Sequence, residues 1–281
     1  MVIDLHTHSN VSDGTDSPQQ LVEAAARAGV DVIGLCDHDT LAGVAPAQAA
    51  GQSQGVTVLA GLEMSTQLDN VTVHLLGYGC DIADQALDQA LSEVRSARLD
   101  RLPKMLAALA AGGVNITIDD VLAQSTPGTT LGRPHVADAL VAAGVVASRR
   151  EAFTVWLDNG RPAYVGHYRV PLREGIALIH GAGGVAVLAH PWGHGSRFVL
   201  TPSRIAELAT SDGLDGIEVD HNDHDTADRV ALRAIAAESQ LLVTGSSDYH
   251  GLGKVGHALA CNTTTDQVYE AITDRIGRLG G

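Results

Sequence analysis

The segment VDVIGLCDHD, residues 30–39, carries the pattern on which the fold prediction depends, because a continuous apolar run ends there in charged residues. Runs of this kind are typical of strands that are buried on both faces in a parallel sheet. The pattern recurs along the chain, and further strands are predicted at residues 2–5, 56–63, 71–79, 184–191, 216–221 and 241–251.

Helices are predicted between most of these strands. The clearest begins at Ser17, which fits the N-cap, with Pro18 at the first helical position and Gln20 at the capping-box position. Gly29 fits the C-terminal stop of this helix. Other helices are predicted near residues 42–53, 172–181, 203–210 and 225–238. The alternation predicts an α/β fold with a parallel sheet, and the number of strands favours a barrel over the competing doubly wound open sheet.

Residues 84–164 break this alternation, because they show helical patterns and almost no strands. Gly112-Gly113 and Gly144 fit helix stops within this segment. We interpret residues 84–164 as an inserted helical subdomain that caps the substrate. Residues 1–83 and 165–281 would then form the catalytic barrel.

The 281-residue chain is 45% hydrophobic and 18% charged, which is typical of a globular protein with one large domain or one domain and an insertion. The net charge of -15 disfavours binding of duplex nucleic acid, but bound metal ions could still attract a small phosphorylated substrate. The start of the chain resembles no targeting peptide, and no apolar run approaches the roughly 18 residues of a membrane span. We expect a cytoplasmic protein without membrane attachment or an obligate protein partner.

The cysteines predict no special site, whereas the histidines carry the functional prediction. Cys36, Cys80 and Cys261 lie far apart, so neither a disulfide framework nor a zinc finger is expected. Cys36 lies in an apolar run and is expected to be a small core residue. The 13 histidines are the compositional anomaly, and their positions carry the functional prediction.

Most of the predicted strands end in His, Asp or Glu. These residues are His6, His8, Asp37, His38, Glu63, His190, Asp248 and His250, while His74 lies within the strand at 71–79. The C-terminal ends of parallel strands converge on one face, where the active sites of α/β proteins form. We therefore expect side chains from distant parts of the chain to meet at one site.

The chemical type of these residues predicts a metal site. Imidazole and carboxylate ligands together suit Zn, Mn and Fe. In His6-x-His8 and Asp248-x-His250 the two side chains of each pair point to the same face of a regular strand. Glu63 has two oxygens and can bridge two ions. Each motif alone is more often explained by a turn, a helix cap or a packed histidine. One metal site nevertheless explains five such strand ends better than five unrelated structural causes do.

The motifs, in their order and spacing, resemble those of the polymerase-and-histidinol-phosphatase (PHP) superfamily. They are DLHTHS (4–9), SDGT (12–15), CDHD (36–39), GLE (61–63), VHLLGY (73–78), AHP (189–191) and SSDYHG (246–251). The stand-alone bacterial phosphoesterases are the most similar subgroup, through GRPHVADAL (132–140) and EAFTVWLDNGRPAYV (151–165). The resemblance implies a distorted (β/α)7 barrel with an inserted helical subdomain.

The resemblance also implies ligands for two to three divalent ions, which would be Mn, Fe or Zn. His6, His8, Glu63 and Asp248 would hold one ion; Glu63, His74 and His190 a second, with Glu63 as the bridge; and Asp13, His38 and His250 a third. Some relatives have His where Asp13 stands, so the carboxylate is expected to retune the third site. Asp13, His38, Glu63, His190 and Asp248 are also expected to act in catalysis.

The subgroup resemblance implies hydrolysis of AMP, of 3′,5′-bisphosphonucleotides or of the 5′ ends of short RNA by a metal-activated water. Arg133 and His135 of the insertion, and Lys254, are the candidates for binding the substrate.

The roles expected for other polar residues near the motifs rest on fewer observations. Asp37 and Asp39 are expected to orient ligand histidines, with a role in a turn as the alternative, and Glu218 has no assigned role. Surface or packing roles are expected for His167, His180, His194, His221, His224 and His257.

Three alternatives stay open at this point. The substrate could be histidinol phosphate, against which the nucleotide-type insertion motif argues. The chain could be a noncatalytic metal-stabilised domain like those attached to polymerases, although every expected ligand is present. It could also be a metal-dependent deaminase or amidohydrolase, which shares the N-terminal HxH, but the SSDYHG ending favours the phosphoesterase.

Overall fold

The elements of the chain follow the predicted alternation in a computed structural model that describes residues 1–126, 129, 131–193 and 195–279. The strands are β1 (Ile3–Thr7), β2 (Val32–Leu35), β3 (Thr57–Leu68), β4 (Val71–Tyr78), β5 (Val170–Pro171), β6 (Val185–Leu188), β7 (Gly216–Asp220) and β8 (Leu242–Gly245). The helices are α1 (Pro18–Arg27), α2 (Val44–Gln54), α3 (Gln85–Ala111), α4 (Ile118–Leu122), α5 (Arg133–Ala142), α6 (Arg149–Ala152), α7 (Leu172–Gly181), α8 (Pro202–Ser211), α9 (Thr226–Glu238) and α10 (Asp266–Leu279). A π-helix covers Phe153–Leu157, and a short 3-10 helix covers Gly251–Gly253.

Seven strands form a nearly closed barrel in the order β1-β2-β3-β4-β6-β7-β8, and β5 pairs with the far part of β3. The first and last strands meet just beyond β8, where the backbone N–H of His8 donates to the carbonyl oxygen of Tyr249 at 2.8 Å. This contact closes the sheet, so the barrel prediction is confirmed against the open sheet. In the part of the chain that the structure describes, no helix is long and apolar enough to cross a membrane.

The prediction of an all-parallel sheet is wrong at β4, which is antiparallel to both β3 and β6. β3 continues to Leu68, beyond its predicted end, and turns directly into β4 at Asp69 and Asn70. These two residues have positive φ angles of 49° and 64°. Positive φ at both central residues is what a two-residue type I′ hairpin requires, and such a hairpin can only join antiparallel strands.

Local sequence signals determine the helices that flank the barrel. At α1, the Ser17 side chain accepts from the backbone of Gln20, whose side chain accepts in return from the Ser17 backbone. Gly29 follows with φ of 73°, so the predicted capping box and stop are confirmed. Cys36 is fully buried, as expected for a core residue. The C-terminal helix α10 was not among the predicted elements.

Helices α3 to α6 and the π-helix occupy the segment that was predicted to be helical. Its helices end where the glycines predicted, at Gly112 and just before Gly144. A separate apolar cluster of this segment includes Met105, Leu140 and Leu157, and its buried members all lie between residues 102 and 163. The segment thus has a core of its own, while the bounds of 84–164 as a subdomain stay a prediction.

Candidate metal centre

The nine predicted ligands meet at one end of the barrel. They are His6 and His8 at the end of β1, Asp13 in the following loop, His38 after β2, Glu63 in β3, His74 in β4, His190 after β6, and Asp248 and His250 after β8. Asp13, His38 and His74 are partly exposed, whereas the other six are buried. Solvent therefore reaches the centre from the side of these three residues.

Glu63 lies in the middle of this group. The imidazoles that approach its carboxylate within 3.4 Å belong to His6, His8, His38, His74 and His190. Oε1 lies 2.8 Å from His74 Nδ1 and 3.1 Å from His190 Nε2, while Oε2 faces the other three rings. The two oxygens thus face two different sets of ligands, which is the arrangement of a bridging carboxylate.

Asp248 and Asp13 lie on either side of the Glu63 group. Asp248 Oδ1 is 3.3 Å from His8 Nε2 and 3.7 Å from His6 Nε2. Asp13 Oδ1 is 3.2 Å from His250 Nε2, and its Oδ2 is 3.7 Å from His38 Nε2. Each carboxylate therefore completes a separate set of imidazoles.

The donor atoms of the centre are arranged to bind divalent cations rather than to form hydrogen bonds with one another. His6 Nε2 and His8 Nε2 are only 3.0 Å apart, and both face carboxylate oxygens. Among the described residues, the buried Nδ1 atoms of His8 and His38 form no hydrogen bond, although Nδ1 of His38 lies 3.1 Å from Glu63 Oε2. Among the described residues, four groups have donor atoms that all lie within 4.8 Å of one another, and three of the groups consist of predicted ligands: His8, Asp13, His38 and His250; His6, His8 and Asp248; and His38, Glu63 and His74. Nitrogen and carboxylate oxygen in such groups are the ligands of Zn, Mn or Fe sites.

The centre keeps its carboxylates ionised. Burial alone raises the pKa of Glu63, but the neighbouring His38, His74 and His6 outweigh it and hold the pKa well below its usual value. Burial likewise raises the pKa of Asp248, and the charges of Lys254, His250 and His6 lower it well below its usual range. Ionised oxygens are acceptors only, which is the state that binds a cation.

Two ligand residues have unusual backbone conformations. His190 has a φ of 27° and Asp248 a φ of 53°, a region that residues other than glycine rarely adopt. Both lie within three residues of the end of a strand. Such conformations concentrate at functional sites because the geometry of the site requires them.

Glu218 lies beside the predicted ligands, and sequence reasoning gave it no role. It is fully buried in β7, and its Oε1 lies 3.2 Å from His6 Nδ1. Its Oε2 accepts from the backbone N–H of His190 at 2.9 Å, and Ser246 Oγ donates to Oε1. Glu218 therefore orients one ligand histidine through its ring and another through its backbone, since a carboxylate on the far nitrogen fixes the tautomer.

The Glu218→Gln variant is expected to bind metal about 10- to 100-fold more weakly and to lose activity by a similar factor, because loss of such a supporting carboxylate has this effect on metal sites. Equilibrium dialysis against a metal buffer, with kcat measured on the same samples, checks this. Glu207→Gln, at an exposed residue of α8, is the matched control. Wild-type metal affinity in the Glu218 variant would show that Glu218 does not position His6.

His221 and His257 lie closer to the centre than the surface or packing roles expected for them. His221 Nε2 is 3.2 Å from Asp248 Oδ2, and both histidines group with Asp248 as a further set of possible ligands. The position of His221, one residue beyond β7, was the available signal. His224 binds the carbonyl oxygen of Val219.

Asp37 and Asp39 have partners other than the histidines predicted for them. Asp37 accepts from the backbone N–H and hydroxyl of Ser9 and from the hydroxyl of Ser12, so it fixes the loop after β1. Asp39 accepts from the Ser65 backbone and forms an ion pair with Arg98. The serine cluster of the first motif was the signal for the role of Asp37.

The remaining histidines divide between packing and the helical segment. His180 Nε2 lies 2.8 Å from Asp215 Oδ2, and His167 contacts Arg101. His194 lies outside the described residues.

The substrate-binding candidates occupy two different places. Arg133 donates to the carbonyl oxygen of Leu157 and lies over the rings of Phe153 and Tyr164, so part of its role is to hold the helical segment together. His135 is buried, and its Nδ1 accepts from the backbone of Gly132. Lys254 instead forms an ion pair with Asp248, inside the metal centre. Their contacts with substrate stay predictions.

The comparisons with known proteins agree with this geometry. The model of the PHP domain matches residues 4–125. A 3′,5′-nucleoside bisphosphate phosphatase of Chromobacterium violaceum is 35% identical over 90% of this chain and 89% of its own length. The chain belongs to the PHP family. A 5′-3′ exoribonuclease of Haemophilus influenzae is 32% identical over 88% of this chain and 89% of its own.

Two solved structures with at least 32% identity share the fold over nearly the whole chain. A protein of Bifidobacterium adolescentis, assigned as a metal-dependent phosphoesterase, superposes with a TM-score of 0.92 at 39% identity over 97% of this chain and 95% of its own. The prediction of a (β/α)7 barrel and of a hydrolase is confirmed. The chain is thus a metal-dependent phosphoesterase of the PHP family, with clustered His, Asp and Glu side chains that can bind metal ions.

Proposed function

We propose that this PHP phosphoesterase hydrolyses phosphomonoesters of nucleotides, namely AMP or 3′,5′-bisphosphonucleotides, and the 5′ ends of short RNA. The observation that carries the proposal is the contact between the helical segment and the ligand loops. Thr129 Oγ1 donates to the Asn10 carbonyl oxygen at 2.9 Å, and Arg149 Nη1 reaches the carbonyl oxygens of Asp13 and Gly253. These contacts support the interpretation of residues 84–164 as a cap over the entrance to the centre, where a nucleotide would be recognised.

The names of the relatives support the same substrate class. The Chromobacterium relative acts on a nucleoside bisphosphate, and the Haemophilus relative is an exoribonuclease. Both substrates carry phosphate on a ribose. Identity of about a third over nearly the whole chain includes the segment around Arg133, and a guanidinium can bind a phosphate through two parallel hydrogen bonds.

The side chains of the centre have separate tasks in the proposed reaction. When bound, divalent cations supply the charge that activates a water and neutralises the phosphate oxygens. Glu63 would join two ions, and Asp13, His38, His190 and Asp248 would hold them at the reacting phosphate. Glu218 keeps the ring of His6 in place. Lys254 adds positive charge beside Asp248.

A phosphate-release screen tests the proposed substrate class. AMP, a 3′,5′-bisphosphonucleotide, 5′-phosphorylated short RNA and histidinol phosphate are each given to the metal-replete protein, and bound metal is measured in parallel. We expect kcat/KM at least about 10-fold higher for a nucleotide than for histidinol phosphate, because only the nucleotide can use contacts with the cap. A preference for histidinol phosphate would contradict the proposal, and so would a failure to release phosphate from any nucleotide.

A further inference from the structure

Arg149 joins the helical segment to two loops of the metal centre. It is the first residue of α6, and its Nε donates to Asp138 Oδ1 of α5 at 2.7 Å, while its Nη2 donates to Asp138 Oδ2. Its Nη1 donates to the carbonyl oxygens of Gly253 at 3.3 Å and of Asp13 at 3.5 Å. One guanidinium group therefore connects two helices of the segment with both loops.

These two loops carry two of the three residues expected to hold the third ion, Asp13, His38 and His250, which we call the third ligand set. Asp13 lies in the loop after β1, and Gly253 follows His250 by three residues in the loop after β8. Asp13 Oδ1 is 3.2 Å from His250 Nε2. The loops also bind each other, because the backbone N–H of Thr15 donates to the His250 carbonyl oxygen at 3.2 Å. The distance between two ligands of the set thus depends on how the two loops are held together.

Apolar packing does little to hold the loop after β8. The side chains of Leu252 and Val255 are almost fully exposed, at 92% and 97%. A Cβ atom on Gly253 would lie only 2.5 Å from Arg149 Nη1, so the guanidinium group lies directly against the backbone of the loop. Lys254 gives the loop a second attachment through its ion pair in the metal centre. A loop with few buried apolar contacts opens easily, so polar contacts such as these determine its position.

The Asp138 carboxylate orients the Arg149 guanidinium group and offsets its charge. Two parallel hydrogen bonds between a guanidinium and a carboxylate fix the plane of the guanidinium group. Burial lowers the pKa of Arg149, but the hydrogen bonds and the charge of Asp138 raise it above its usual value, so the group stays positive. A positive charge close to Asp13 would by itself repel a cation. Arg149 can therefore favour a metal ion through the position that it gives to its hydrogen-bond partners, and not through its own charge.

We propose that Arg149, oriented by Asp138, is a positioning residue that holds the Asp13 and His250 loops together and thereby strengthens the binding of an ion at the third ligand set. The proposal rests on the ligand set of the proposed function, but it holds whichever nucleotide is hydrolysed. The helical segment then supports the metal centre itself, in addition to its proposed role in recognising the substrate. Supporting hydrogen bonds of this kind keep ligands in place and raise the affinity of a site for its metal.

Binding of Mn²⁺ to the metal-depleted protein, measured by equilibrium dialysis without substrate, tests the proposal. Asp13→Asn identifies the class of bound ion that belongs to the third ligand set, because this class should weaken in that variant. Arg149→Gln and Asp138→Asn should weaken the same class by about 10-fold, since loss of a supporting partner lowers metal affinity by this order. The dissociation constants of the other classes should change by less than about threefold, since the described hydrogen bonds of Arg149 reach none of their ligands. Arg150→Gln, at the exposed neighbour of Arg149 in α6, is the control and should bind Mn²⁺ as wild type does.

The sign of the change separates positioning from charge. Glutamine removes a positive charge near the third ligand set, so a role through charge alone would make Arg149→Gln bind Mn²⁺ more tightly, and tighter or unchanged binding overturns the proposal. Equal weakening of every class overturns it as well, and so does an Asp13→Asn variant that keeps every class.

Two further measurements complete the experiment. Thermal melting checks that the variants are folded, and Asp138→Asn keeps the proposal testable if Arg149→Gln does not fold. Phosphate release from nucleotides by the same wild-type sample separates the proposal from the proposed function. A failure to release phosphate with Mn²⁺ bound would contradict that function and leave the binding result unchanged.

Discussion

The Glu63→Gln variant is expected to release phosphate about 1,000-fold more slowly than wild type and to contain less bound metal. Glu63 is buried and contacts five imidazoles through two oxygens, so the change removes a carboxylate that joins two sets of predicted ligands. Removing one partner from a buried charged group costs about 3–5 kcal/mol, which corresponds to a rate factor of this size if it is lost in the transition state. Phosphate release and metal content of the same sample measure both effects.

The controls for Glu63 address charge and folding. Glutamine keeps the shape of glutamate, removes its charge and replaces one acceptor oxygen by an NH2 donor. Glu23→Gln changes an exposed residue of α1 whose partner is the exposed Arg27, so wild-type activity is expected there. Full phosphate release by a Glu63 variant that binds no metal would contradict the role assigned to the centre.

Metal depletion is expected to lower the melting temperature of the wild-type protein by roughly 10 °C relative to the protein with Mn²⁺ or Zn²⁺ at a thousandfold excess over Kd. A ligand that binds only the folded state at this excess stabilises it by about 4 kcal/mol. The ion would be held by residues from β1, β3, β4 and the segment after β8, which come together only in the folded barrel. Differential scanning calorimetry with and without a chelator measures the shift.

The Glu63→Gln variant is the matched comparison for this effect. Its melting temperature should rise less than that of wild type when the metal is returned, because fewer metal ligands remain. An equal gain in both proteins would place the stabilising ion away from Glu63. No shift in wild type would show that the centre binds ions weakly or not at all.

Much of the barrel was predictable because its signals are local. The capping box at Ser17 and the glycine stops at Gly29 and Gly144 are determined within a few residues, and the structure has them where the sequence places them. The hairpin at Asp69-Asn70 was equally local, yet the uniform apolar runs on both sides favoured a parallel interpretation. Turn residues were therefore a better guide to strand direction than strand composition.

The meeting of the predicted ligands at one site was predictable because strand ends converge in any barrel of this kind. The roles of the residues that contact the predicted ligands were harder to predict, because they depend on which strands are neighbours. Glu218 lies opposite Thr244 in the β7–β8 register, and only the closed barrel brings it to His6, 212 positions earlier in the chain. Arg101 and His167 are likewise 66 residues apart, and no sequence period relates them.

The central claim is that the strand-end cluster forms a metal centre that hydrolyses phosphate esters of nucleotides. Its most direct test is phosphate release from 3′,5′-bisphosphoadenosine by one protein sample before chelation, after chelation and after return of Mn²⁺ or Zn²⁺. Wild type should lose its activity on chelation and regain it when the ion is returned. Glu63→Gln should then reach no more than a small fraction of the wild-type activity. Release of phosphate at an undiminished rate by the chelated wild-type protein would contradict the claim.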